Sequence, residues 1–185
     1  MAVIAWIIVA LGLVAGAVAL AARHAASIAP ARVVPPGEKV PVTSTQRLVG
    51  WSLALGLIPA VAAGALVAWF GPDVYWDDDA VRLTVTGLVL ASMFILVAPQ
   101  ALASLWAAHD DRRIDERDRG ILAQAPTSQA AAMLVVLAIW VVALTESFRG
   151  EAGIPRVYMY LAFWSYLLVS LLAWNVGALL GYRRT

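Results

Sequence analysis

Few residues in this 185-residue chain could do chemistry, and most of them stand together. Residues 109–119 read His-Asp-Asp-Arg-Arg-Ile-Asp-Glu-Arg-Asp-Arg. They hold nine of the 25 charged side chains, which comprise 13 Lys and Arg with 12 Asp and Glu. Outside this island the candidates are His24, the acidic run of Asp73, Asp77, Asp78 and Asp79, and the carboxylate of Glu146. A few polar groups also lie within apolar stretches: Ser52, Ser92, Gln100, Ser170 and Asn175.

Each candidate chemistry can be weighed on residue type and spacing. A haem b needs paired axial histidines in an apolar slot. The only candidates are His24 and His109, and both border charged segments, so ordinary interfacial histidines are the better reading. His109, Asp110 and Asp111 are adjacent, and neighbours on a helix point in different directions, which defeats a shared metal ion. Three contiguous aspartates do not match the alternating ligand positions of a calcium loop. Carboxylates just ahead of a helix cap its free amides and favour its positive end, and that is the role expected of the run at 73–79. Glu146 stands at the end of an apolar stretch with Arg149 one turn on, which reads as an interfacial ion pair. A serine hydrolase dyad has no base within the apolar stretches, and no Gly-rich phosphate loop is present. The chain has no cysteine, which excludes disulfides, iron–sulfur clusters and thiolate nucleophiles. The expectation is a protein that is not an enzyme and carries neither cofactor nor metal.

The elements that position these residues are apolar. The chain is 62% hydrophobic and 14% charged, with a mean hydropathy of +0.82, whereas a soluble domain carries about 25% charged residues. A net charge of +1 makes no case for nucleic acid. Apolar segments at residues 3–22, 48–70, 83–108, 130–147 and 157–180 are each long enough for a transmembrane helix. The fold expected is therefore an all-α integral membrane protein, one domain over residues 1–185 with five transmembrane helices. No basic residue precedes the first segment, which argues against a cleaved signal peptide.

Small residues mark the faces where these helices should pack. Gly12 and Gly16 form a GxxxG. Ser52, Gly56, Ala60, Gly64 and Ala68 recur every four residues beside a central Pro59, which is expected to kink its helix. Gly177 and Gly181, with Asn175, should face protein, where the amide can bond across to another helix. Gln100 is expected to bond the carbonyl that Pro99 leaves free. Tyr158, Tyr160, Trp164 and Tyr166 at one end of the last segment, with Trp174 and Tyr182 at the other, read as interfacial aromatic belts. Within the island, Ile114, Ile121 and Leu122 suggest a short amphipathic helix lying in the interface. Pro126 then restarts the chain under a Thr127 or Ser128 cap.

Asp115-Glu116-Arg117-Asp118, followed by Ile121 and Ala125 and then directly by an apolar segment, resembles the DERD-x-x-I motif of a family of uncharacterised predicted bacterial membrane proteins. The likeness covers roughly residues 110–185. No activity is established for that family, so the resemblance implies a bacterial inner membrane and no particular chemistry.

Orientation follows from the basic residues. With the N-terminus outside and the C-terminus in the cytoplasm, the connectors 23–47 and 109–129 and the C-terminus face inward. They then hold Arg23, Arg32, Lys39, Arg47, Arg112, Arg113, Arg117, Arg119, Arg183 and Arg184. Only Arg82, Arg149 and Arg156 remain outside. Two function classes fit. One is a non-catalytic accessory or assembly subunit of a larger membrane complex, held in the lipid bilayer. It would dock on other membrane protein subunits or on copies of itself, and bind a partner through Asp115, Glu116, Arg117 and Asp118. The alternative is a small oligomeric transporter or channel built around Pro59 and Pro99, and a minor alternative is a haem-carrying electron-transfer subunit with His24 and His109 as the candidate ligands.

Overall fold

The structure is a computed structural model that describes residues 42–108 and 116–183. The first expected span at 3–22, with Gly12 and Gly16, lies outside the described residues, as do His24, His109 and Asp115. Five helices follow: α1 (Ser44–Phe70), α2 (Pro72–Asp77), α3 (Asp79–Ala108), α4 (Glu116–Ser147) and α5 (Arg156–Tyr182). Four of them, α1, α3, α4 and α5, are long and apolar enough to cross a membrane. At 1.5 Å per residue even the 27-residue helices reach about 40 Å, against a hydrocarbon core of about 30 Å. Large apolar side chains face outward along them, among them Trp51, Ile58, Val61, Phe94, Leu134 and Phe163. Such a surface suits a lipid solvent.

Local signals explain where the helices begin. Thr43, in extended conformation, caps α1 by accepting the Gln46 amide at 3.1 Å, so the helix starts ahead of the apolar segment. Asp78 caps α3, its Oδ1 accepting the amides of Ala80 at 2.8 Å and Val81 at 3.2 Å. The acidic run thus does the capping expected of it. The Glu146–Arg149 pair forms as expected, at 3.0 Å on the surface.

The island differs from expectation. Among the described residues there is no separate helix followed by a restart at Pro126: α4 runs unbroken from Glu116 through Pro126 to Ser147. Ile121, Ala125, Ser128, Ala132 and Val136 are buried at helical spacing, so one packed stripe spans the proline. Pro126 lies on the exposed side, and continuing the helix through it disturbs no buried contact. At 32 residues α4 is about 48 Å long, more than the roughly 30 Å needed to cross a hydrocarbon core.

α1 pairs with α3, α4 pairs antiparallel with α5, and α5 lies against both α1 and α3 and joins the two pairs. Three small residues set the closest approaches. A Cβ on Gly56 would lie 2.6 Å from Leu96 Cγ of α3. One on Gly177 would lie 2.6 Å from Ser128 Oγ, and one on Gly181 would lie 2.7 Å from Ile121 Cγ2. Gly64 differs. It is exposed, and no described atom lies within 4 Å of an added Cβ. A recurrence of four advances about 40° per step past the 3.6-residue turn, so the stripe that starts inside at Ser52 and Gly56 has rotated outward by Gly64. Ala63 holds the buried position there instead.

Candidate functional site

The residues singled out in the island meet two other helix ends. Thr43 Oγ1, besides accepting the Gln46 amide, donates to Asp118 Oδ1 at 3.1 Å. Asp118 lies in the first turn of α4 and has no exposed surface; it is the one buried charged residue among the described residues. A carboxylate in a first helical turn complements the positive end of the helix dipole, and the hydroxyl extends that match to the start of α1. The neighbouring residue reaches the other way. Arg117 Nη2 donates to the Tyr182 carbonyl at 3.2 Å, and its guanidinium lies 5.9 Å from the centre of the Tyr182 ring. That carbonyl is at the negative end of α5.

The fold therefore divides the four residues expected to bind a partner. Asp115 lies outside the described residues, Glu116 is exposed, Arg117 is half-buried against α5, and Asp118 is fully buried. Asp118 and Arg117 are not an outward contact strip in this structure. Helical rotation turns them toward the ends of α1 and α5 and leaves Glu116 and Arg119 facing out.

Below this junction a polar ladder ties the helices at span depth. Asn175 is fully buried and its Nδ2 donates to the Leu96 carbonyl of α3 and to the Leu171 carbonyl, each at 2.9 Å. Ser92 Oγ donates to the Gly56 carbonyl at 2.7 Å. Ser52 Oγ donates to the Ile95 carbonyl, the one that Pro99 deprives of its helical amide. This replaces the role expected of Gln100, whose buried Nε2 has no hydrogen-bond partner among the described residues. Gln100 follows Pro99 on the same helix, while the hydroxyl that reaches the free carbonyl comes from α1. Between α4 and α5, Gln129 Nε2 donates to Ser170 Oγ at 2.6 Å and Trp140 Nε1 donates to Ser165 Oγ at 2.7 Å.

Among the described residues, the ion pairing at the opposite end is local. Asp79 pairs with Arg82, which also donates to the Trp76 carbonyl at 2.9 Å. Two shallow depressions on the described surface are wide open. One runs along Asp73, Val74 and Asp77 to Asp79, and the other along Leu66, Phe70, Ala80, Val81 and Thr84. No group of three or more metal-ligating side chains comes together among the described residues.

Sequence reasoning missed Thr43 and gave Ser128 a different role. Thr43 carried a readable signal, since Thr-x-x-Gln over 43–46 has the spacing of a capping box. Its reach to a residue 75 positions away had no local signal. Ser128, expected as a cap, instead packs its side chain against Gly177.

No family model, curated protein or solved structure matches the chain.

Proposed function

We propose that the protein is a non-catalytic interaction subunit of the bacterial inner membrane, an accessory or assembly component of a larger membrane complex. Its apolar outer faces dock on partner helices, and the outward residues of the island, Glu116 and Arg119 among them, meet a partner in the cytoplasm. The N-terminus lies outside and the C-terminus inside. Among the described residues, Arg47, Arg117, Arg119 and Arg183 gather at the island end against Arg82, Arg149 and Arg156 at the other, which supports this orientation. The DERD-x-x-I resemblance supports the bacterial membrane.

The observation that carries this reading is the use of polar groups at span depth. Ser52, Ser92 and Asn175 bond to backbone carbonyls of neighbouring helices, and Gln129 bonds to Ser170. Side chains that line a permeation path must instead meet water or solute.

The test is purification of the tagged chain from its native membrane in mild detergent. Other membrane subunits should co-purify in fixed ratio, and replacing Glu116 and Arg119 together by alanine should release the partner that the island holds. A chain that always purifies alone overturns the proposal. Because the protein has no cysteine, Ser92→Cys introduces a single thiol. It should resist a water-soluble maleimide in the folded protein, and rapid labelling would favour the transporter or channel reading.

A further inference from the structure

We propose that Arg117 and Asp118 form a latch that closes the island end of the bundle, and that this end opens as a unit while the acidic end stays shut. The proposal stands apart from any docking role of the island.

Three helix ends converge on two consecutive residues. Asp118 accepts from the Thr43 hydroxyl at the start of α1, and Arg117 donates to the last carbonyl of α5, while both residues belong to the first turn of α4. The polarity is matched at each contact, carboxylate toward the amino ends of α1 and α4 and guanidinium toward the carboxyl end of α5. These bonds join helix termini, so breaking them severs none of the bonds along a helix. Separation of the ends can therefore precede any melting.

Among the described residues, the buried apolar group beneath the latch is smaller than the one at the far end. Near the island Val49, Ala125, Trp174 and Ala178 are buried together, with Leu122 and Leu179 packed against them. At the acidic end Ala63, Tyr75, Val85, Val89, Val157 and Tyr158 are buried together, with Trp76, Phe148 and Trp164 packed around them. The closed island end also carries a cost. Thr45 is buried with 1% of its surface exposed, and neither its Oγ1 nor the Nε2 of Gln100 has a hydrogen-bond partner among the described residues. Opening this end to water would satisfy both groups, so the closed state depends on a contact that offsets them. The helix-end bonds of Arg117 and Asp118 are suited to that role. A region with fewer buried apolar contacts than its surroundings is where local opening is expected.

Hydrogen exchange of the full chain in lipid nanodiscs, read by mass spectrometry, tests the latch. Thr43→Val removes the hydroxyl, and Arg117→Gln weakens the tie to Tyr182. Either should raise exchange about tenfold in all three end segments, 44–50, 117–124 and 177–183, with no change over 81–92 and 157–168. Thr43→Ser keeps the hydroxyl and should restore the parent rates. A Thr43→Val increase confined to 44–50 would mean that only a helix cap was lost, and would overturn the latch. So would unchanged exchange, or an equal rise across the whole bundle. If Thr43→Val does not fold, Arg117→Gln decides alone by the same three segments.

Discussion

The two ends of the bundle are closed by opposite chemistry. At the acidic end the short helix α2 inserts Tyr75, 1% exposed, between the long helices, and aromatic rings meet edge-on or tilted around it. Trp76 lies 5.5 Å from Tyr160 and Phe148 5.0 Å from Tyr158. The polar contacts of Asp78 and Asp79 stay within a turn of chain, Asp78 capping α3 and Asp79 pairing with Arg82. At the island end the buried apolar group is smaller, Val49, Ala125, Trp174 and Ala178, and charged side chains bridge between helices. Non-directional burial tolerates small shifts, whereas hydrogen bonds to helix ends are lost within an ångström. One end should therefore set the stability of the bundle, and the other its conformational freedom.

The strongest way to break this comparison is Tyr75→Ala. Truncating a fully buried ring should cost about 3–5 kcal/mol and lower the unfolding temperature of the whole protein in detergent. A loss below about 1 kcal/mol would mean that the aromatic end does not anchor the fold.

Next is the contrast along α1. Gly56→Leu drives a side chain into Leu96 and should cost about 1–3 kcal/mol by thermal unfolding, while Gly64→Leu, on the open side, should be near neutral. Equal destabilisation by both would mean that Gly64 is covered in the intact protein.

The island end is sharpened by a pair of changes. Gly177→Ala sets a Cβ 2.6 Å from Ser128 Oγ and should cost about 1–3 kcal/mol, and Ser128→Gly in the same chain should return part of that. Additive losses would contradict a direct contact.

Asn175→Leu removes the amide that bonds Leu96 and should cost roughly 0.6–2 kcal/mol in detergent unfolding. The smallest effect belongs to Glu146→Gln. Both partners of that ion pair are more than half exposed, 54% and 75%, so stability should change by less than about 0.5 kcal/mol. A larger drop would show that the pair is buried by something beyond this bundle.

Some of this was decided by the sequence alone. An uncharged apolar run of about twenty residues has few solutions other than a membrane helix, because length and hydropathy act without regard to neighbours. The capping by Asp78 and the pairing of Glu146 with Arg149 were legible for the same reason, since both partners lie within one turn of each other. The amide of Asn175 was read correctly as facing protein, because a buried amide in an apolar helix must find a partner.

Other features were decided only by the tertiary structure. The four-residue stripe on α1 looked like one face, but which part of it is interior depends on how α3 and α5 lie against the helix, and the rotation carries Gly64 outward. The carbonyl freed by Pro99 looked like a task for the adjacent Gln100, and Ser52 of another helix reaches it. Pro126 looked like a break, and the buried stripe from Ile121 to Val136 carries α4 through it. The island looked like an outward charged strip, and the ends of α1 and α5 draw Arg117 and Asp118 inward. Each of these depends on the rotation of one helix against another, and that rotation is set by side chains tens of residues apart, which no local pattern encodes.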